Sequence, residues 1–158
     1  MFELEPVTPS GFNMPIPEEQ SEYVTQFAFS RDIAREVKDR ADWECEETGR
    51  KASDGWRMEA CHKNHDKNYP YYNHPDNGNC LCLLAHLEDH ITLLERTKPH
   101  KRKWAYRSVQ LIAKRAYFDG QRTQEHYFNN PLDIIDDREE IVEMLSNYGL
   151  KPEEFILW

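Results

Sequence analysis

Long apolar runs are missing from this sequence. None of its 158 residues belongs to a stretch approaching the roughly 18–20 apolar positions that a membrane-crossing helix needs. The opening MFELEPVTPS lacks the basic and apolar regions of a secretory leader. The expectation is a cytoplasmic protein with no membrane partner. Internal repeats and low-complexity tracts are absent as well, and segments with strand-like alternation are few. Cysteine is sparse: Cys45, Cys61, Cys80 and Cys82 are the only four. In a chain without a leader they read as metal ligands or reduced core thiols rather than a disulfide framework.

A net basic charge is also lacking. The formal charge is −9, which taken alone disfavours a nucleic-acid partner. The distribution is uneven, however. Residues 96–122 carry nine bases against the single acid Asp119, while residues 123–158 carry nine acids against two bases. A local field rather than the total attracts a polyanion. With 39% hydrophobic and 31% charged residues, the chain fits one compact domain on the polar side of the globular range.

Local signals divide the chain into three parts. Residues 1–29, with Pro6, Pro9, Pro15 and Pro17, read as an extended arm. Residues 30–98 form a central core, and residues 99–158 a helical extension packed on the same domain. Ser30 caps a predicted helix over 31–41, with Ile33, Val37 and Ala41 on one face. Turns at Thr48-Gly49 and Asp54-Gly55 separate WECEE from WRMEAC, which suggests a two-stranded ribbon within 42–61. Residues 63–79 are polar, aromatic and turn-rich, a long surface loop of the kind that is usually functional. Leu83, Leu84, Leu87, Ile91 and Leu94 predict a helix from Leu81 to about Arg96, stopped by Pro99. Further helices are predicted over 101–118, with Trp104, Val109, Ile112 and Ala116 inward, and over 136–147, ending near Gly149. The fold class is therefore α+β, mostly helical, with very little strand.

The chemistry-bearing residues fall between 42 and 90. Cys61-His62 closes the segment MEACH, Asn77 sits in the following loop, and His86 and His90 stand four apart on a predicted helix. That spacing puts both imidazoles on one face about a turn apart, close enough to hold one ion. His65 and His74 lie in the loop, where solvent exposure is the default, and His65 is the one rival to His62 as a base. Cys45, Cys80 and Cys82 read most simply as small buried apolar groups. A four-thiolate zinc site with Cys61 is the alternative.

This ordering resembles the HNH family of nucleases, whose ββα-metal motif is a β-hairpin followed by a helix gripping one divalent ion. NGNCLCLLAH, from Asn77 to His86, carries Leu81, Cys82 and His86 at the family spacing. Upstream, a helix followed by DWECEETGR resembles the family's lead-in. The likeness covers about 31–90. It implies a fold built on a short hairpin and a metal-binding helix. It also implies that His62 is the general base for the attacking water, that Asn77 fixes the hairpin loop and the His62 ring, and that His86 and His90 hold the metal.

Two departures matter. Members with a structural zinc use paired C-x2-C knuckles, but here Thr48 and Ala85 replace two of those cysteines, so that zinc is not expected. Cys61 stands where the family places an Asp or His ligand. A thiolate suits zinc and other soft ions and partners magnesium poorly. Either Cys61 ligates a transition metal or water takes its place. The cofactor expected is one divalent ion, with manganese, magnesium, zinc and nickel as candidates.

The basic stretch mixes cations with aromatics, as in KPHKRKWAYR. Lys98, Lys101, Arg102, Lys103 and Arg107 are candidates for DNA phosphate contacts, which position a duplex without reading its sequence. A solvated helix face is the competing reading. The function expected is a metal-dependent DNA endonuclease that hydrolyses phosphodiester bonds. One hydrolytic centre in a monomer favours nicking, and a double cut would need dimerisation. The alternative is a non-catalytic, metal-stabilised DNA-binding or interaction module of the same shape.

Overall fold

A computed structural model of the chain describes residues 28–156. Of the Pro-rich arm expected over residues 1–29, residues 1–27 lie outside the described residues. The elements in order are α1 (Arg31–Arg40), β1 (Met58–His62), β2 (Gly78–Cys82), α2 (Leu83–Arg96), α3 (Arg102–Lys114), α4 (Gln124–Asn129), α5 (Asp133–Asn147) and α6 (Pro152–Phe155). The architecture is α+β and mostly helical, with a two-stranded antiparallel hairpin packed against helices. No helix among the described residues is long and apolar enough to cross a membrane.

Helix α1 starts where Ser30 accepts a hydrogen bond from the Ile33 amide at 3.3 Å, satisfying one of the orphan donors of the first turn. Val37 is fully buried from its inner face. It presses so closely on β2 that a Cβ added at Gly78 would lie 2.5 Å from Val37 Cγ2. Glycine is required there by the approach of helix to strand, not by backbone conformation.

The hairpin differs from the ribbon expected within 42–61. β1 pairs with β2 in the register Met58↔Cys82 to His62↔Gly78, so the partner strand comes from the far end of the long loop. The WECEE segment forms no strand: it contributes an isolated bridge, Glu44↔Lys51, and a bond from the Glu46 amide to the Cys80 carbonyl at 2.9 Å. The expected helix start at Leu81 is likewise displaced. Leu81 and Cys82 complete β2, and α2 begins at Leu83 with no intervening loop. That direct strand-to-helix passage lays α2 against the hairpin.

Helix α2 serves two cores. Leu83, Leu87, Ile91 and Leu94 pack with Ala105, Val109, Ile112, Ile141, Leu145 and Phe155 from the C-terminal helices. Ala85 joins Val37, Met58, Leu81 and the four cysteines in a second cluster under the hairpin. Every cysteine is free and buried. Thr48 lies between two of them, its amide donating to Cys45 Sγ at 3.4 Å and its hydroxyl 3.5 Å from Cys82 Sγ.

Helix α3 ends at Lys114 and passes into a π-helical turn, Arg115–Asp119, instead of continuing regularly to 118. Trp104, expected inward, is 43% exposed, whereas Val109, Ile112 and Ala116 are buried. The acidic C-terminal part contacts the basic one at defined pairs. Arg122 reaches Asp133 at 3.3 Å and Asp137 at 3.0 Å. The Trp56 ring lies between the Arg50 and Arg122 guanidinium groups, 3.9 and 3.8 Å from its centroid.

Candidate metal centre and basic surface

The site is built by the long loop between the strands and the outer face of α2. A third of the loop is buried rather than surface. Asn64, Tyr69, Tyr72, Asn73 and Asn77 are all buried. Asn77 holds it closed: its Oδ1 accepts from the Asn64 amide at 2.9 Å, and its Nδ2 donates to the carbonyls of Asn64 at 3.2 Å and Tyr72 at 2.7 Å. A carboxamide is the side chain that can satisfy both an orphan amide and orphan carbonyls at once. Asn77 therefore fixes the backbone carrying residues 64–72; its three bonds go to backbone groups, none to the His62 ring.

His62 ends β1 with its ring stacked between Phe29 and Tyr72, at centroid distances of 4.0 and 3.9 Å. Its Nε2 lies 2.6 Å from Asn73 Oδ1. An amide oxygen only accepts, so this contact places the proton on Nε2 and the lone pair on Nδ1. Burial lowers the His62 pKa to about 4; the Asn73 bond opposes the shift, and charge on His65 or His86 would add to it. The ring is neutral at pH 7.

Closure of the loop brings His65 onto α2. His65 Nε2 is 2.8 Å from Asp89 Oδ2. The His65 ring meets that of His90 edge-on at 5.0 Å. One donor atom from each of His65, Asp89 and His90 lies within 4.8 Å of the other two. This group can hold a metal ion. Burial would raise Asp89, but the His65 hydrogen bond and the neighbouring imidazoles hold its carboxyl below the usual value. Burial lowers His90 to about 3, with His86 and His65 adding to the shift. His90 Nδ1 is buried with no hydrogen-bond partner. An orphaned buried nitrogen is costly unless something else satisfies it, and a divalent ion is one group that would. Two imidazoles and a carboxylate are a donor set that zinc, manganese and nickel accept.

The expected ligands divide. His86 and His90 share a helix face with ring centroids 4.8 Å apart, as their spacing predicts. His86 Nδ1, however, is 2.7 Å from Glu59 Oε1, and the other Glu59 oxygen pairs with Arg115. Burial lowers His86 to about 4, and its neutral ring makes the Glu59 bond by donating from Nδ1. Cys61 is 2% exposed and its thiol points to the Glu59 carbonyl at 3.7 Å. Burial pushes that thiol well up, and Asp89 and the neighbouring thiols add to it. Of the three expected ligands only His90 belongs to the close group. His65 and Asp89 enter it instead. Strand alternation sends Glu59 and Cys61 to one face of β1 and His62 to the other. Among the described residues no hydrogen bond or ring contact joins His62 to His65, Asp89 or His90.

His65 was visible in the sequence only as a loop histidine, because its partner Asp89 lies 24 positions away. Asp89 had one signal, its adjacency to His90 on the helix. Lys98, Lys101, Arg102, Lys103 and Arg107 all lie on the surface, and among the described residues none forms an ion pair. Such a group of unpaired cations is available to a polyanion. No protein-family model, curated protein or solved structure matches this chain.

Proposed function

We propose that the chain is a metal-dependent DNA endonuclease of the HNH type. The observation that carries this reading is the close group of His65, Asp89 and His90 on a hairpin–helix unit. His62 at the strand end and the exposed cations after α2 support it. His65, Asp89 and His90 would hold a divalent ion, which would supply Lewis-acid stabilisation of the phosphate and of the charge on the leaving oxygen. Its donor set favours zinc, manganese or nickel over magnesium.

The chain's own groups do the rest. His62 is neutral at working pH, and its Nδ1 would accept a proton from the attacking water while Asn73 holds the Nε2 proton in place, a role that requires the scissile phosphate to span from the metal group to the end of β1. Lowered basicity makes it a modest base but keeps it in the accepting form at neutral pH. Asn77 holds the loop that carries His65. Lys98, Lys101, Arg102, Lys103 and Arg107 position the duplex through its phosphates. Hydrolysis leaves 5′-phosphate and 3′-hydroxyl ends, and one centre per monomer gives nicks.

One observation favours the second reading, a metal-stabilised DNA-binding module without catalysis. Both faces of the His62 ring are covered, by Phe29 and Tyr72, as a purely structural histidine would be. Supercoiled plasmid incubated with chelator-stripped protein plus manganese, nickel, zinc or magnesium decides between them. The nuclease reading expects relaxed circles with at least one ion, lost with chelator and in both His62→Ala and His90→Ala. Intact plasmid under every ion, or undiminished cutting by His62→Ala, refutes it.

A further inference from the structure

Beside the metal group lies a cavity of about 770 Å³ between the long loop and the helices α2 and α3. Its volume is in the range of pockets that enclose small organic ligands. His65 lines it, so the cavity opens onto the same loop residue that reaches Asp89. The floor includes Leu93, and one wall is the half-exposed indole of Trp104. The Lys67 ammonium lies 4.5 Å from its ring centroid. Lys63, Arg96 and Lys101 complete the basic lining, and Asp66 is the one acid facing them. Asp66 is itself engaged, its Oδ1 accepting from the Asn68 amide at 2.9 Å. The Arg96 guanidinium is positioned by a bond from Nε to the Thr92 carbonyl at 3.3 Å.

We infer that this cavity receives an unpaired nucleotide of single-stranded DNA, its base against Trp104 and its phosphates among Lys63, Arg96 and Lys101. The inference rests on the nuclease reading in taking DNA as the substrate, and it extends that reading to substrate form. Chemistry selects the occupant. An indole beside an apolar floor offers stacking to a flat ring, and the surrounding cations offer charge to its phosphates; a nucleotide carries both. A base inside a duplex has its faces covered by neighbours and cannot enter without leaving the stack, whereas an unpaired base presents a free face. The preferred substrate is therefore DNA with a single-stranded segment beside the scissile bond, such as a flap, fork or overhang.

Binding measured under chelator separates this inference from cleavage. Fluorescein-labelled single-stranded and blunt duplex DNA of equal length are titrated with wild type, Trp104→Ala and Trp104→Phe, with circular dichroism confirming the fold of each. Trp104→Ala is expected to weaken single-strand binding about 10-fold, within the range for loss of one stacked base. Duplex binding stays within about twofold, and Trp104→Phe retains most of the single-strand affinity. No loss, or an equal loss on duplex and single strand, overturns the inference. A chain that binds unpaired DNA through Trp104 yet, with every ion, cuts neither plasmid nor a forked duplex keeps the pocket and refutes the nuclease.

Discussion

Replacing Asn77 by alanine tests how the site is held together. The side chain is 1% exposed and makes three hydrogen bonds, to the Asn64 amide and to the carbonyls of Asn64 and Tyr72. Each net bond contributes about 1 kcal/mol, and leaving the buried partners unsatisfied adds further desolvation cost. The substitution should therefore cost roughly 3–5 kcal/mol, a large share of the 5–15 kcal/mol that stabilises an ordinary domain. At about 2–4 °C per kcal/mol for a chain of this size, the midpoint should fall by roughly 10 °C. Urea denaturation followed by tryptophan fluorescence measures it. Asn68→Ala, at an exposed position of the same loop, serves as the control and should stay within about 0.5 kcal/mol. Asn77→Asp keeps the acceptor for the Asn64 amide but loses both donations, so its cost should remain close to that of alanine. A loss below about 1 kcal/mol for Asn77→Ala, or one matching Asn68→Ala, would show that the loop is held by other means.

Further consequences concern acid stability and the polar network behind the hairpin. His62 has a folded pKa of about 4 against an ordinary value of 6.5, so the unfolded chain binds its proton first. Its contribution is complete above pH 6.5 and declines as pH falls towards 4, by up to about 1.4 kcal/mol per pH unit. Urea titrations across that window in chelator should show a shallower slope for His62→Gln than for wild type, and identical slopes would contradict the burial of the ring. Asp137 is 2% exposed, accepts from Tyr127 Oη at 2.6 Å and from Arg122 Nη2 at 3.1 Å, and leaves Arg122 Nε nearby but out of line for a bond. Asp137→Ala leaves the Tyr127 hydroxyl without its acceptor and Arg122 with Asp133 as its remaining carboxylate, and should cost about 2–3 kcal/mol by denaturant titration; a change below about 1 kcal/mol would mean that water replaces the carboxylate.

Local signals made much of the helical frame legible. Ser30 with Val37 on the following face specified α1, and the Leu83–Leu94 stripe specified α2, because capping and 3.6-residue periodicity are local properties. Pairing between β1 and β2 was not legible. GNCLC is short, and its choice of MEACH over WECEE is settled by non-local packing on Val37 and by closure of the loop through Asn77. The same closure explains the site. His90 and His86 could be placed from helix spacing, but His65 reaches Asp89 only because an irregular loop folds back. Periodicity carries no information about that contact. Trp104 follows the apolar rhythm of α3, yet faces a basic cavity and not the core.

Metal binding by His65, Asp89 and His90 is the claim from which the rest follows. Isothermal titration of chelator-stripped protein with zinc and manganese, on wild type and on His65→Ala, His90→Ala, His86→Ala and Cys61→Ser, measures it directly. The account predicts one equivalent bound by wild type, tight binding kept by Cys61→Ser and His86→Ala, and at least a 100-fold loss in His65→Ala and His90→Ala. Tight binding that survives loss of His65 and His90 but disappears with His86 or Cys61 would contradict it.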